Sequence, residues 1–168
     1  SRADSETDTL VHHLVGRGMG DFTDLIQTAE RGVDIIPEHN RLEDLGETLR
    51  KEREARSDFG ESFPMWTQLQ RVLREAEIHK QYDVLIVDPP ASSGPHLYNA
   101  LDATRNLVLP VEPSGKGQAS VDGLNDLVSN LEEQLEINIG VLAAVPNRFK
   151  GTTDQEEIVS EIEAQGFD

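Results

Sequence analysis

Four consecutive apolar residues, Val84 to Val87, are followed at once by Asp88 and two prolines. A strand that is buried on one face alternates apolar and polar residues, so an unbroken apolar run predicts a strand buried on both faces. Pro89 and Pro90 cannot donate backbone hydrogen bonds to a sheet, so the strand has to end there and continue as a loop. The run therefore predicts a central strand in a sheet that is covered on both sides.

Asp88 stands at the carboxyl end of this predicted strand, which is where open α/β sheets bind their ligands. A carboxylate in that place can orient the water shell of a bound magnesium ion. Gly94, in the loop that follows, can bring a bare backbone N–H close to a phosphate. Asp88 can instead cap the loop through its own side chain. These residues alone leave both interpretations open.

Apolar segments of strand length alternate with helical patterns along the chain. Such alternation is typical of a parallel sheet with helices on both faces. We therefore predict an α/β fold with a mostly parallel sheet sandwiched by helices, and mutually parallel strands near 33–36, 84–88, 107–111 and 140–145. At 168 residues, we expect a single domain that spans residues 1–168.

The charge balance is strongly acidic, with 32 Asp and Glu residues against 15 Lys and Arg and a net charge of −17. An acidic surface on an ordinary globular pattern suggests a halophilic protein, because salt screens the self-repulsion. The same charge argues against binding of nucleic acid by this chain alone. Cysteine is absent, which excludes thiolate chemistry and is compatible with the cytoplasm. No apolar run has the length of a membrane span, and there is no signal-peptide pattern.

Familiar catalytic motifs are missing from the sequence. A P-loop needs a lysine followed by Ser or Thr, but the four lysines are followed by Glu52, Gln81, Gly117 and Gly151. The five histidines lack metal-ligand spacing, and no serine lies in a G-x-S-x-G turn. The sequence by itself thus shows no complete phosphate-binding, metal-binding or hydrolase motif.

The order of the remaining parts resembles the ParA/Soj group of partition ATPases. These belong with MinD and the nitrogenase iron protein among the deviant Walker-A P-loop NTPases. The resemblance runs from about Leu10 to the end of the chain. It is carried by the segments Tyr82–Pro90, Gly94–Pro95, Asn99–Leu101 and Leu107–Val111. It implies a three-layer P-loop NTPase fold that is incomplete at its N-terminus.

The resemblance also implies roles for particular residues. Asp88 matches the aspartate that holds the magnesium shell through a bound water, and the loop from Pro89 through Pro90 to Gly94 matches the switch that senses the γ-phosphate. Asn147 matches an asparagine that reads the adenine edge, with Arg148 beside it, although a turn after Pro146 equally suits Asn147. Pro110 to Pro113 match a loop that approaches the nucleotide across a dimer.

Two departures from the family pattern matter. Asp88 is followed directly by the two prolines, whereas the family usually has one residue between them. The P-loop unit, whose strand in the family lies beside the strand of Asp88, is not found in these 168 residues. Without that neighbour, Val84 to Val87 would expose unpaired backbone and apolar side chains. We therefore expect a piece of a longer ATPase, unless another segment fills the gap, and we expect this chain alone neither to bind ATP tightly nor to hydrolyse it.

For the intact protein, the resemblance implies ATP and Mg²⁺ as cofactors and an ATP-switched homodimer that acts in plasmid or chromosome partitioning in the cytoplasm. A ParB-like or other centromere-binding adaptor is the implied partner, with non-specific DNA bound only through regions outside this sequence. A MinD-like membrane cycle needs a C-terminal amphipathic helix, for which residues 154–165 are too acidic. The alternative hypothesis is a non-catalytic α/β interaction module that has lost nucleotide chemistry.

Overall fold

The computed structural model describes residues 8–37, 44–90, 94–113, 126 and 128–164. The chain divides into two units, Ser1–Ala103 and Thr104–Asp168. Helices accompany a two-stranded sheet in each of them, and the sheet of the second unit is parallel. These elements confirm the predicted α/β class. The single domain expected over residues 1–168 stays a prediction.

Unit 1 consists mainly of helices. Its helices are α1 (Leu10–Leu14), α2 (Leu45–Ser57), α3 (Gln68–Glu75) and α4 (Pro95–Thr104), with 3-10 turns at Phe22–Leu25, Glu30–Gly32 and Ile78–Lys80. The strands β1 (Gln27–Thr28) and β2 (Asp34–Ile35) complete it.

The core of unit 1 forms where apolar residues recur at helical spacing. Val11 and Leu14 of α1, and Leu45 and Leu49 of α2, are buried in one cluster together with Val72 of α3. Residues three or four positions apart share one face of a helix, so each of these helices turns a single apolar face inward. The packing follows directly from the spacing in the sequence.

The strand predicted at 33–36 forms in a different arrangement. β2 pairs antiparallel with β1, with Thr28 opposite Asp34 and Gln27 opposite Ile35, so the predicted parallel pairing is wrong for this strand. Arg31 and Gly32 between the two strands have φ angles of 64° and 76°. Two successive residues in the left-handed region reverse the chain tightly, and this reversal makes a local hairpin rather than a parallel crossover.

The prediction of a central strand at 84–88 is also wrong. Residues 84–90 are neither helix nor strand, and the side chains of Val84 and Ile86 are 74% and 85% exposed. A strand exists only where a neighbour accepts and donates its backbone hydrogen bonds. Within the described ranges no strand lies beside this segment, and its apolar side chains therefore stay in contact with solvent.

Unit 2 contains the two predicted strands that do pair in parallel. These are β3 (Asn106–Val111) and β4 (Gly140–Pro146), joined through a chain segment that includes helix α5 (128–135) and followed by helix α6 (Thr153–Ala164). Asn106 lies opposite Gly140 and Val111 opposite Pro146, with an irregularity after Leu107. The parallel pairing of these two strands is confirmed.

Among the described residues, one face of the β3–β4 sheet is partly buried and the other is exposed. In the described part of unit 2, Leu131, Ile137 and Ile139 are buried. On the strands themselves, Val108 and Leu142 are exposed. None of the helices in the described part of the chain is both long and apolar enough to cross a membrane.

Candidate functional site

Tyr82 anchors the start of the segment that carries Asp88. Its hydroxyl donates a hydrogen bond to Oδ2 of Asp34 in β2 at 2.7 Å. This bond to a carboxylate raises the pKa of Tyr82, with desolvation and the negative charge of Asp34 acting in the same direction. The contact fixes the beginning of the segment beside β2. Sequence reasoning missed it, because no local pattern links two residues that lie 48 positions apart.

Asp88, Pro89 and Pro90 line one cavity of about 550 Å³ within unit 1. Most of its wall is apolar and comes from α1, α2, α3 and the segment 84–87, while Asp34, Tyr82 and His96 contribute polar atoms. Asp88 and Pro90 are exposed and Pro89 is half-buried. The structure therefore brings three of the predicted site residues to one cavity.

The Asp88 carboxylate suits a contact with magnesium through water. It takes part in none of the hydrogen bonds or ion pairs found among the described residues. In the same part of the chain, no three Asp, Glu or His side chains converge in a way that could hold a metal ion directly. Because Mg²⁺ keeps several of its waters and is bound through one or two carboxylates together with substrate phosphates, a single carboxylate fits the role that the resemblance implies for Asp88. The residues present fit that role.

Gly94 lies immediately before α4, whose first residue is Pro95. Its carbonyl accepts a hydrogen bond from the amide of Tyr98 at 3.0 Å, which closes the first turn of the helix. A Cβ atom on Gly94 would come within 3.1 Å of the His96 ring, so a larger residue at this position would require the ring to shift by a few tenths of an ångström. Its approach to a phosphate stays a prediction, and residues 91–93 of the predicted switch lie outside the described residues.

A second group of predicted residues gathers at the carboxyl ends of β3 and β4 in unit 2. Pro110 pairs with Val145 in the ladder, and Pro113 after β3 is fully buried. The backbone N–H of Asn147 donates a hydrogen bond to the backbone carbonyl of Val111 at 2.7 Å, which extends the pairing of the two strands by one residue. The carboxyl edge of a parallel sheet is the usual place for a ligand in α/β proteins.

Arg148 and Glu112 face each other at this edge. Nη1 of Arg148 lies 3.5 Å from Oε2 of Glu112, and both side chains are exposed. Arg148 has a φ of 56°, and its amide donates to the side-chain oxygen of Asn147 at 2.9 Å. The Asn147 side chain therefore also stabilises the turn that follows β4, by accepting this hydrogen bond. Sequence reasoning did not single out Glu112, although its place directly after a strand was a usable signal.

Comparison with known structures shows the same fold in larger proteins. The chain superimposes on cobyrinic acid a,c-diamide synthase from Mycobacterium smegmatis with bound ATP analogue and magnesium, at a TM-score of 0.74 and 18% identity. Apo McdA from Cyanothece gives a TM-score of 0.69 at 21% identity. The alignments cover 96% of this chain but only 59% and 61% of those two chains. At such identities the likeness shows the fold alone. No curated protein matches the chain in sequence.

A family model supplies the sequence-level evidence. The model described as an AAA domain matches residues 2–141, which is most of the chain and includes α1 to α4, β3 and the segment around Asp88. Together with the P-loop NTPase fold of its structural neighbours, this match confirms the resemblance drawn from the Asp88 motif. The chain belongs to the AAA domain family, of the ParA/MinD-like type.

Proposed function

We propose that this chain forms part of a ParA-like ATPase that acts in plasmid or chromosome partitioning as an ATP-switched dimer. The observation that carries the proposal is the position of Asp88, an exposed carboxylate at the end of the apolar segment 84–87. The family match spans this segment. A structural neighbour, a variant of McdA from Cyanothece, is known in complex with ATP, which is consistent with a nucleotide site in this fold.

In this proposal the protein positions groups and forms no covalent bond with the substrate. Magnesium, when bound, neutralises charge on the phosphates of ATP. Asp88 would hold a magnesium-bound water, Pro89, Pro90 and Gly94 would form the loop that responds to the γ-phosphate, and Asn147 would recognise the adenine edge. Arg148 and the turn from Pro110 to Pro113 are the further residues that we propose for contacts with the nucleotide. A homodimer and a ParB-like adaptor are the partners that we propose.

The phosphate cradle is supplied, in this proposal, by a P-loop segment outside the 168 residues. The exposed Val84 and Ile86 offer the surface on which a strand of that segment would pair. The test is to join such a βαβ unit to the chain and to measure ATP–magnesium affinity and turnover. Tight binding and hydrolysis by the joined protein, but not by the 168-residue chain, support the proposal. Absence of both from the joined protein overturns it.

One observation favours the alternative of a non-catalytic interaction module. The side-chain oxygen of Asn147, which would have to recognise a base, already accepts the amide of Arg148 at 2.9 Å. An acceptor that stabilises a turn has less freedom to contact a ligand. The joined protein separates the two functions, because a module would keep its fold and show no ATP-dependent change in stability.

A further inference from the structure

A second cavity of unit 1, of about 310 Å³, is lined by three arginines. Arg56 comes from the end of α2, and Arg71 and Arg74 come from α3. Ser62, Thr67 and Glu75 also line this cavity, which we call the arginine groove. None of its lining residues lines the larger cavity beside Asp88, and none belongs to the proposed nucleotide site.

Two of the guanidinium groups in the arginine groove are held in place by the fold. Arg71 donates to the side-chain oxygen of Gln68 at 2.8 Å, to Glu75 at 2.7 Å and to the carbonyl of His13 at 2.8 Å. Arg56 donates to the carbonyl of Val15 at 3.1 Å. Groups that are already ordered lose little conformational entropy when a ligand arrives, so such a site is preorganised.

Arg56 is ordered further by an aromatic ring and by a shared carboxylate. Its guanidinium carbon lies 4.8 Å from the centre of the Phe63 ring. Its Nε donates to Glu52 at 2.8 Å, and the same carboxylate accepts from Arg17 at 2.6 Å. The buried carboxylate of Glu52 thus pairs with two arginines but neutralises only one positive charge, so one positive charge remains in excess beside the groove.

Arg74 adds a second positive charge in excess. Its Nη2 donates to the neutral side chain of Gln70 at 2.8 Å, whereas Arg71 is balanced by Glu75. The surrounding stretch, residues 50–75, holds six basic residues and five acidic ones, in a chain whose net charge is −17. A local excess of positive charge in an acidic protein concentrates anions at that place.

We propose that the arginine groove binds a phosphate-type oxyanion. Guanidinium groups present several N–H donors in a planar fork that matches phosphate oxygens, and hydroxyl groups such as those of Ser62 and Thr67 can add further donors. Arg56 and Arg71 are half-buried, so their attraction for an anion is screened less by salt than that of exposed side chains. The volume lies at the lower end of the range of about 300 to 1,000 Å³ for small-ligand sites.

The test is a titration of the 168-residue chain with inorganic phosphate and with pyrophosphate at constant ionic strength, which potassium chloride maintains. Arginine side-chain NMR signals report binding residue by residue. We expect saturable shifts of the Arg56, Arg71 and Arg74 signals. Arg74→Gln should weaken binding about fivefold or more. Arg50→Gln is the matched control, because Arg50 lies on α2, is exposed and does not line the groove.

Three results would overturn the proposal. The first is a response to phosphate that does not saturate or that equals the response to chloride. The second is unchanged affinity in Arg74→Gln, and the third is an equal loss in Arg74→Gln and Arg50→Gln, which would indicate an unspecific charge effect. Circular dichroism of both variants checks the fold, and both substitutions change exposed side chains.

Discussion

Asn99 caps helix α3 from a different helix, because its side-chain oxygen accepts the backbone amide of Gln68 at 2.9 Å. The same oxygen accepts the amide of Leu69 at 3.1 Å, and the side-chain nitrogen donates to the carbonyls of Met65 and Pro95 at 3.0 and 2.8 Å. The first amides of a helix lack partners within the helix. A buried side chain from α4 therefore satisfies the beginning of α3 and joins the two helices.

Asn99→Ala should lower the free energy of unfolding of unit 1 by about 2 to 3 kcal/mol, because it leaves buried amide and carbonyl groups without partners. Trp66 is the only tryptophan of the chain and packs edge-on against Tyr98 of α4 at 5.1 Å. Its fluorescence during urea unfolding measures the effect. Gln81→Ala, at an exposed position of unit 1, is the control and should cost less than about 1 kcal/mol. Equal losses in both variants would contradict the capping role of Asn99.

Asp8 should make stability depend on pH in the acid range. Partial burial raises the pKa of its carboxyl group, but hydrogen bonds from His13 and the amides of Met19 and Gly20, with the charge of His13, outweigh this and lower it overall. A lowered pKa stabilises the fold above the unfolded value of about 4, and the contribution is lost as the pH falls through the folded value. Asp8→Asn should flatten the decline of stability below about pH 4.

Urea unfolding at a series of pH values, followed by Trp66 fluorescence, measures this slope for unit 1. Asp58→Asn is the control, because Asp58 lies in the exposed turn after α2. A slope that Asp8→Asn leaves unchanged would show that the Asp8 contacts do not contribute to folding in solution.

Glu136 occupies a backbone conformation that suits glycine. It follows α5 with a φ of 54°, and the amide of Ile137 donates back to the carbonyl of Glu132 at 3.2 Å. This is the usual hydrogen bond of a helix that ends in a left-handed residue. Glu136→Gly should raise stability by about 0.5 to 1 kcal/mol, whereas Glu133→Gly within the helix should lower it by about 1 kcal/mol. Thermal unfolding followed by circular dichroism tests both, and changes of the same sign would refute the argument.

Salt should stabilise the chain. With a net charge of −17, self-repulsion opposes the folded state at low ionic strength and is screened in salt. The thermal midpoint, measured from low to molar potassium chloride, should rise. A midpoint that stays constant or falls would contradict the proposed halophilic character.

The proposed nucleotide roles can be separated in the protein joined to a P-loop unit. Asp88→Ala should abolish hydrolysis and leave the fold intact, because this exposed side chain adds nothing to the core. Asn147→Ala should reduce the preference for ATP over GTP about fivefold to tenfold, which corresponds to the loss of one hydrogen bond. Turnover and affinity titrations measure both effects. Asp83→Ala is the control for Asp88, and full activity of Asp88→Ala would remove the central assignment.

Local sequence patterns predicted the buried helix faces of unit 1 and the strand pair of unit 2. The apolar faces of α1 and α2 follow from helical spacing, and the parallel pair β3–β4 follows from two apolar runs separated by a helix. The segment 84–88 was predicted wrongly for a physical reason. An apolar run indicates that a segment tends to be buried in a sheet. Whether the strand forms depends on a neighbouring strand, and the run itself carries no information about that partner.

Long-range polar contacts were beyond prediction for a similar reason. The cap that Asn99 provides for Gln68 spans 31 positions, and the bond from Tyr82 to Asp34 spans 48. No periodicity encodes such pairs, since each depends on how separate elements pack. Asp88 and Asn147 were predicted as site residues from predicted strand ends and from the resemblance, and these roles stay predictions. The contacts of Tyr82 with Asp34 and of Arg148 with Glu112 are visible only in the structure.

The exposed apolar segment 84–87 also has a consequence for solubility. Short uncharged runs of β-forming residues that contact solvent tend to pair with identical runs of other molecules and to start aggregation. Here Asp83 precedes the run, and Asp88, Pro89 and Pro90 follow it. A charge at each end and two prolines at one end interrupt intermolecular strand pairing, so the flanking residues act as gatekeepers that keep the chain dispersed. Asp88 thereby contributes to the solubility of the protein, independently of any nucleotide.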